Sequence, residues 1–231
     1  MSLQNLKITF HLDGTGLYYD PYEPIHLDAL MAWALMPFHR QKGDEAPTRN
    51  SEPIDVPLPL GKWHINGEWG WCASALFPDG ETAESLQFWR KKFRQNKIEL
   101  TQGSPNLQNG IYREYNNPLP LLLTNKMIAY AVGDRGRVHQ ILRKHIRYLG
   151  KKAAYGKGRV LSVDVEIIEN DYSLIKDGKT MRFLPSGNGI RQVRVRPPYW
   201  NNHGKTTCAE IGDELSWEEI KKSGLEGPTL F

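Results

Sequence analysis

The sequence predicts an α+β fold, and three observations carry that prediction. Near the start, Leu6, Ile8, Phe10 and Leu12 alternate with polar residues, which is the period of a half-buried strand. Far along the chain, Val160–Ile168 is a run rich in β-branched residues, the composition of a second strand. Between them lies the clearest helix, Arg135–Tyr148, whose stripe Val138, Ile141, Leu142, His145, Ile146 and Leu149 recurs at helical spacing.

The other elements follow in order. Asp13–Pro24 holds two glycines and two prolines and reads as a turn-rich loop. Leu27–Met36 is apolar nearly all round, the mark of a short buried helix, and Pro37 is expected to stop it. Residues 39–61 are polar with four prolines, a long surface excursion. Two strands are expected at Trp63–Asn66 and Trp69–Phe77, with a glycine-bounded turn between them. Ala83–Phe93 has helical spacing through Leu86, Trp89 and Phe93. Leu119–Thr124 and Lys126–Val132 read as strands joined by a short polar turn, and Gly150 stands where a left-handed cap would end the long helix. Arg191–Arg196 alternates basic and apolar residues. The core order is strand, helix, strand, strand, helix, strand, over Leu6–Leu12, Leu27–Met36, Trp69–Phe77, Lys126–Val132, Arg135–Tyr148 and Val160–Ile168. That is the βαββαβ pattern of ferredoxin-like (RRM-like) domains. The expected organisation is one domain over 1–231, with insertions near 39–61 and 97–118 and a C-terminal extension, 169–231.

Hydrophobic residues at 39% and charged residues at 24% place the chain among globular proteins. No apolar run approaches the length of a membrane span, and the start MSLQNLKITF lacks the apolar centre of a secretory signal, so a cytoplasmic protein is expected. Two cysteines, Cys72 and Cys208, are too few for a disulfide framework or a four-cysteine zinc site.

Charge is where the sequence speaks most clearly about function. The net charge is +4, from 30 basic and 26 acidic side chains. Arg135–Arg159 alone holds nine Lys or Arg and no Asp or Glu, and removing those nine leaves 21 basic against 26 acidic. Residues 1–80 are acidic, with ten acids against five bases. A helix built only for solubility would intersperse Glu; a strip without acids points to a polyanion, above all nucleic acid. The sharpest segment is Leu149–Val160, LGKKAAYGKGRV. Its Gly150, Gly156 and Gly158 permit positive φ and close approach of backbone amides to phosphate. Lys151, Lys152, Lys157 and Arg159 supply charge, and Tyr155 supplies a ring for an unpaired base. Such interleaving suits single strands better than duplex grooves. The alternative reading is a helix cap followed by a solvated turn.

Other candidates are weaker. Asp13-Gly14-Thr15-Gly16 is too short for a dinucleotide fingerprint and reads as a turn. Seven scattered histidines form no HExxH motif, so neither a metal site nor a cofactor is expected. His139 or His145 with Lys152 and Tyr155 supplies the residue types of a metal-independent ribonuclease, an enzymatic alternative. Arg90, Lys91, Lys92, Arg94 and Lys97 around Trp89 and Phe93 read either as a second backbone-contacting helix or as a helix with a wet face. Arg182, Arg191, Arg194 and Arg196 form a third basic set near RVRPPYW (Arg194–Trp200), where Tyr199 and Trp200 anchor the tail.

A ferredoxin-like core with a glycine-rich basic loop after its second helix resembles the RAMP superfamily of CRISPR-associated proteins. Within it, Pro24–Leu35 (PIHLDALMAWAL), LGKKAAYGKGRV and RVRPPYW together resemble the small backbone subunit of type IV CRISPR effector complexes. The resemblance implies a non-catalytic subunit that holds the 5′ repeat-derived handle of CRISPR RNA and caps the filament of backbone subunits. It implies RNA contacts at Lys151, Lys152, Tyr155, Gly156, Lys157, Gly158 and Arg159, with Arg143 and Arg147 from the preceding helix. The implied partners are CRISPR RNA, the filament-forming backbone subunit, the large subunit and, in the assembled complex, target DNA. His26 or Asp28 is expected to fix the start of the first helix. A basic protein-interaction module without RNA affinity is the remaining alternative.

Overall fold

The computed structural model describes residues 2–39, 48–93, 106–110, 113–151, 153–215 and 226–229. The chain runs β1 (Gln4–Leu12), β2 (Leu17–Tyr18), α1 (Leu27–His39), β3 (Lys62–Ile65), β4 (Glu68–Trp71), β5 (Phe77–Pro78), β6 (Ala83–Lys91), β7 (Tyr115–Leu123), β8 (Lys126–Gly133), α2 (Arg135–His145) and β9 (Val160–Ile167). Short strands follow: β10 (Ile175–Lys176), β11 (Lys179–Thr180), β12 (Leu184–Pro185), β13 (Arg191–Val193), β14 (Thr206–Ala209) and β15 (Glu226–Thr229).

The central sheet has the order β5-β8-β1-β9, and every neighbouring pair is antiparallel. This mixed α/β arrangement is compatible with a ferredoxin-like core. The alternation of β1 does what its period requires: Leu6, Ile8 and Phe10 are fully buried, on the face where Leu27 and Met31 of α1 and Val138 and Leu142 of α2 close the core. Asp134 caps α2, accepting from the Arg137 amide at 2.9 Å.

Several expected elements differ. Pro37 lies inside the last turn of α1 rather than ending it, where its missing N–H removes a single bond. The expected strand Trp69–Phe77 divides. Its first part, β4, forms a hairpin with β3 through Asn66 and Gly67, both at positive φ, as an Asn-Gly hairpin turn demands. The remainder follows β8 irregularly: the Val132 amide donates to Cys72 O at 2.9 Å and the Ser74 amide to Tyr130 O at 2.8 Å before Phe77 pairs with Ile128. Ala83–Phe93 is not a helix. It contributes strand β6, which pairs with β7 over nine positions to make an arm inserted between β5 and β8. Pro118 and Pro120 in β7 have the same strand parity, and β2 pairs β7 only at Leu121 and Leu122, so the ladder tolerates the missing N–H groups. Helix α2 ends at His145 with Ile146 extended, so Gly150 is not its cap.

A buried ionic cluster ties the C-terminal extension to this core. Arg182, wholly buried, donates to the carbonyls of Trp71 and Ala73 and to Asp28 Oδ2 at 3.3 Å. Tyr199 accepts from Arg182 at 2.9 Å and donates to the Asp28 carboxylate at 2.8 Å. Asp28 and His26, whose carbonyl accepts from the Leu30 amide, both hold the start of α1, and Tyr199 anchors the tail. His26 stacks on Tyr199 with ring centres 4.2 Å apart. Burial, helped by the charges of Arg182 and Arg191, holds the His26 pKa well below 6.5. The Cys72 and Cys208 thiols are free and pushed up to about 12, chiefly by burial. Among the described residues, no helix is long and apolar enough to cross a membrane.

The neutral His26 gives a signed pH effect. Below pH 6.5 the unfolded chain takes up a proton that the folded chain refuses, so stability is present above that pH and lost as pH falls, by at most about 1.4 kcal/mol per unit. In urea denaturation between about pH 7.5 and about pH 5.5, the native protein should weaken relative to His26→Phe; parallel curves would contradict this.

Candidate nucleic-acid interface

After α2 the chain turns back to β9 through the glycine-rich loop, and the loop rests on the Asp13–Gly16 turn. The Gly158 amide donates to Gly16 O at 2.8 Å, the Leu149 amide to Gly158 O at 2.8 Å and the Asp13 amide to Arg159 O at 3.2 Å. Lys157 Nζ reaches Thr15 O at 2.8 Å, and Thr15 Oγ1 donates to Gly156 O at 3.2 Å. The turn that the sequence marks as plain is thus the loop's seat. Asp13 there is held below the usual carboxylate range: burial opposes ionisation, but hydrogen bonds from Thr15 and the Arg159 charge outweigh it.

Gly150 and Gly158 serve packing. Gly150, Gly156 and Gly158 all have positive φ. At Gly158 a Cβ would stand 2.1 Å from Leu149 O, whereas at Gly156 it would meet nothing within 4 Å. The Gly156 amide donates to Ala153 O at 2.9 Å and the Gly158 amide to Gly16 O. These two amides are thus hydrogen-bonded within the protein.

The expected side chains sit as follows. Arg143, Arg147, Lys151, Tyr155 and Arg159 are exposed, and Lys157 is half-buried. Lys151 pairs with Glu23 at 3.0 Å, both largely solvated, a contact worth little and readily exchanged. Lys152 lies outside the described residues. Tyr155 is 62% exposed, and its ring meets Trp89 of the arm edge-on at 4.6 Å. Trp89 in turn donates to the Tyr115 hydroxyl at 2.6 Å and lies parallel to that ring. Tyr18, beside the loop, donates to Gln87 of the arm at 2.9 Å. The face of β6 that carries Gln87, Trp89 and Lys91 therefore continues the loop surface. Arg90 stands on the opposite face, over Phe88 and bonded to Asn116 Oδ1 at 2.8 Å. The segment around Trp89 does join the basic loop, as a strand rather than a helix; Arg94 and Lys97 lie outside the described residues. Sequence reasoning missed Tyr115 and the Asp13–Gly16 seat, because only long-range pairing brings them here.

The third basic set faces inward. Arg182 and Arg194 are buried, and Arg194 donates to the His203 carbonyl. Arg196 lies over Trp69 at 4.5 Å, between Asp55 at 3.4 Å and Glu68 at 3.5 Å. Arg191 is bonded to Tyr22 O at 2.6 Å. His145 packs against the edge of Phe38, 5.9 Å between ring centres, while His139 lines a cavity with Arg143 and Arg147. Among the described residues, no group of three or more His, Cys, Asp or Glu is placed to hold a metal ion.

The chain matches the model of a protein family described as CRISPR type IV associated protein Csf3, over residues 4–107 and 89–210. A comparison with curated proteins finds no match.

The two glycines separate by substitution. Gly156→Ala should cost about 1–2 kcal/mol for left-handed backbone alone. Gly158→Ala should cost clearly more in urea denaturation, because the loop must leave its seat. Equal losses would mean that the loop is not wedged between Leu149 and Gly16.

Proposed function

Because the chain belongs to the Csf3 family of type IV CRISPR-associated proteins, we propose that it is the non-catalytic RNA-binding subunit of the type IV complex. It holds the 5′ repeat-derived handle of CRISPR RNA and caps the filament of backbone subunits. The observation that carries this reading is the joining of two distant segments into one face: the basic loop with exposed Tyr155, and the arm with Trp89, Tyr115 and Lys91. Cations along a groove bind the phosphates of a single strand by releasing counterions, and the rings accept splayed bases. The RAMP-type core supplies the platform on which the loop and arm are set.

The acidic N-terminal third, apart from the Asp13–Glu23 stretch that seats the loop, turns away from RNA in this reading. Its exposed Trp33 and Phe38, each 68% accessible, and Leu86 and Phe88 on the far face of the arm are surfaces for the backbone and large subunits. Target DNA approaches only in the assembled complex.

The test is a titration of the purified chain with labelled repeat-handle RNA at several salt concentrations, with the products run on a denaturing gel. Intact RNA should bind, and Lys151→Glu/Arg159→Glu should weaken binding and flatten the log–log salt slope by about 0.7 per lost phosphate contact. Cut RNA would make the protein a nuclease. Unchanged binding by the variant would remove the loop from the interface.

A further inference from the structure

Helix α2 and the outer edge of β9 enclose a cavity of about 240 Å³, lined by His139, Arg143, Ile146, Arg147, Val160, Leu161, Ser162 and Val163. Its walls flank the loop in the chain, α2 before it and β9 after it, and it is built from different residues than the Tyr155 face. His139 and Arg143 are one helical turn apart, and Arg147 follows just past the helix end. The Val160 amide donates to Arg147 O at 2.9 Å, which closes the cavity where the loop returns to β9.

Three observations point to an anion. No Asp or Glu lines the cavity. Arg143 and Arg147 are exposed and make no ion pair among the described residues, while Lys151, Arg182, Arg191 and Arg196 each have a carboxylate partner. The wall also offers backbone. Val165 O, on the free edge of β9, accepts from Arg135 Nε at 2.9 Å, and the two-residue period of a strand turns the backbone of Val163 to that same edge. The macrodipole of α2 favours cations in its last turn and accounts for Lys144 and His145 equally well. It does not account for two arginines and a histidine converging on one concavity.

We propose that this cavity is a phosphate-binding subsite, in which Arg143 and Arg147 clamp one phosphate group and His139 and the Val163 amide donate from the wall. It rests on the RNA-binding reading for the source of that phosphate, a phosphodiester of the held strand displaced from the Tyr155 face. A guanidinium pair suits such a group because each planar fork presents parallel donors to two oxygens.

The full chain, with nitrogen-15 in its arginine side chains and amides, is titrated by NMR with inorganic phosphate and, separately, with a short oligouridine. Inorganic phosphate should shift the Nε–Hε signals of Arg143 and Arg147 and the Val163 amide. Arg143→Gln/Arg147→Gln should weaken that binding at least about tenfold, and Arg143→Lys/Arg147→Lys should retain part of it. Oligouridine moving the same signals identifies a phosphodiester as the source. Inorganic phosphate moving them without any oligouridine binding leaves the subsite standing and defeats the RNA reading. Oligouridine bound only at Tyr155 and the loop, or no saturable shift at the two arginines with either probe, overturns the subsite.

Discussion

The pairing of Asp28 with Arg182 inside the protein is the constraint on which the rest depends. Neither side chain reaches solvent, and an isolated charge at that depth would cost several kcal/mol. The guanidinium stays buried because its two terminal nitrogens are used, by the carbonyls of Trp71, Ala73 and Val195, by Asp28 and by Tyr199, while Nε alone has no partner among the described residues. Those partners come from the start of α1, from the irregular edge beside β8 and from the C-terminal extension. One residue therefore sets where α1 begins and where the chain after β4 rejoins the sheet. It also sets where the tail lies. Replacing one partner would strand the others, so the cluster fixes the geometry of three segments at once.

That arrangement also sorts the charges. Arginines in the C-terminal extension are absorbed by carbonyls and carboxylates, so the positive surface left to meet a partner comes from α2, the loop and the arm. The sequence count already marked Arg135–Arg159 as the strip that makes the chain basic. The structure adds that the competing set, Arg182 to Arg196, faces inward or is paired. A surface polarised in this way steers one kind of ligand to one face.

How much was legible in the sequence follows from which forces are local. Strands β1 and β9 and helix α2 show their periods because one face of each is buried, and burial writes alternation into the residues, while β8, buried on both faces, shows as a continuous apolar run. The start of α1 could be read only as a choice between His26 and Asp28, and the helix begins between them at Leu27. The arm could not. Leu86, Trp89 and Phe93 happen to fall at helical spacing, yet β6 projects from the core with both faces largely solvated, so no buried face imposed a period of two. Its strand state comes from pairing with β7, about 30 residues onward, which no window of sequence contains. The end of α2 failed for a related reason: Gly150 has the φ of a cap but owes it to close approach against Tyr18 O.

The site teaches the same lesson about the loop. Glycine-rich, basic and aromatic composition was sufficient to find it, but not to say how it works. A loop whose Gly156 and Gly158 amides were open would grip phosphate through its backbone and change shape on binding. Here those amides hold the loop to itself and to the Asp13–Gly16 turn, so the loop is fixed before any ligand arrives, and little ordering cost remains to be met on binding. On the proposed RNA-binding reading, recognition would then pass through side chains, the ammonium and guanidinium groups and the exposed face of Tyr155, and its affinity would be governed by ionic strength.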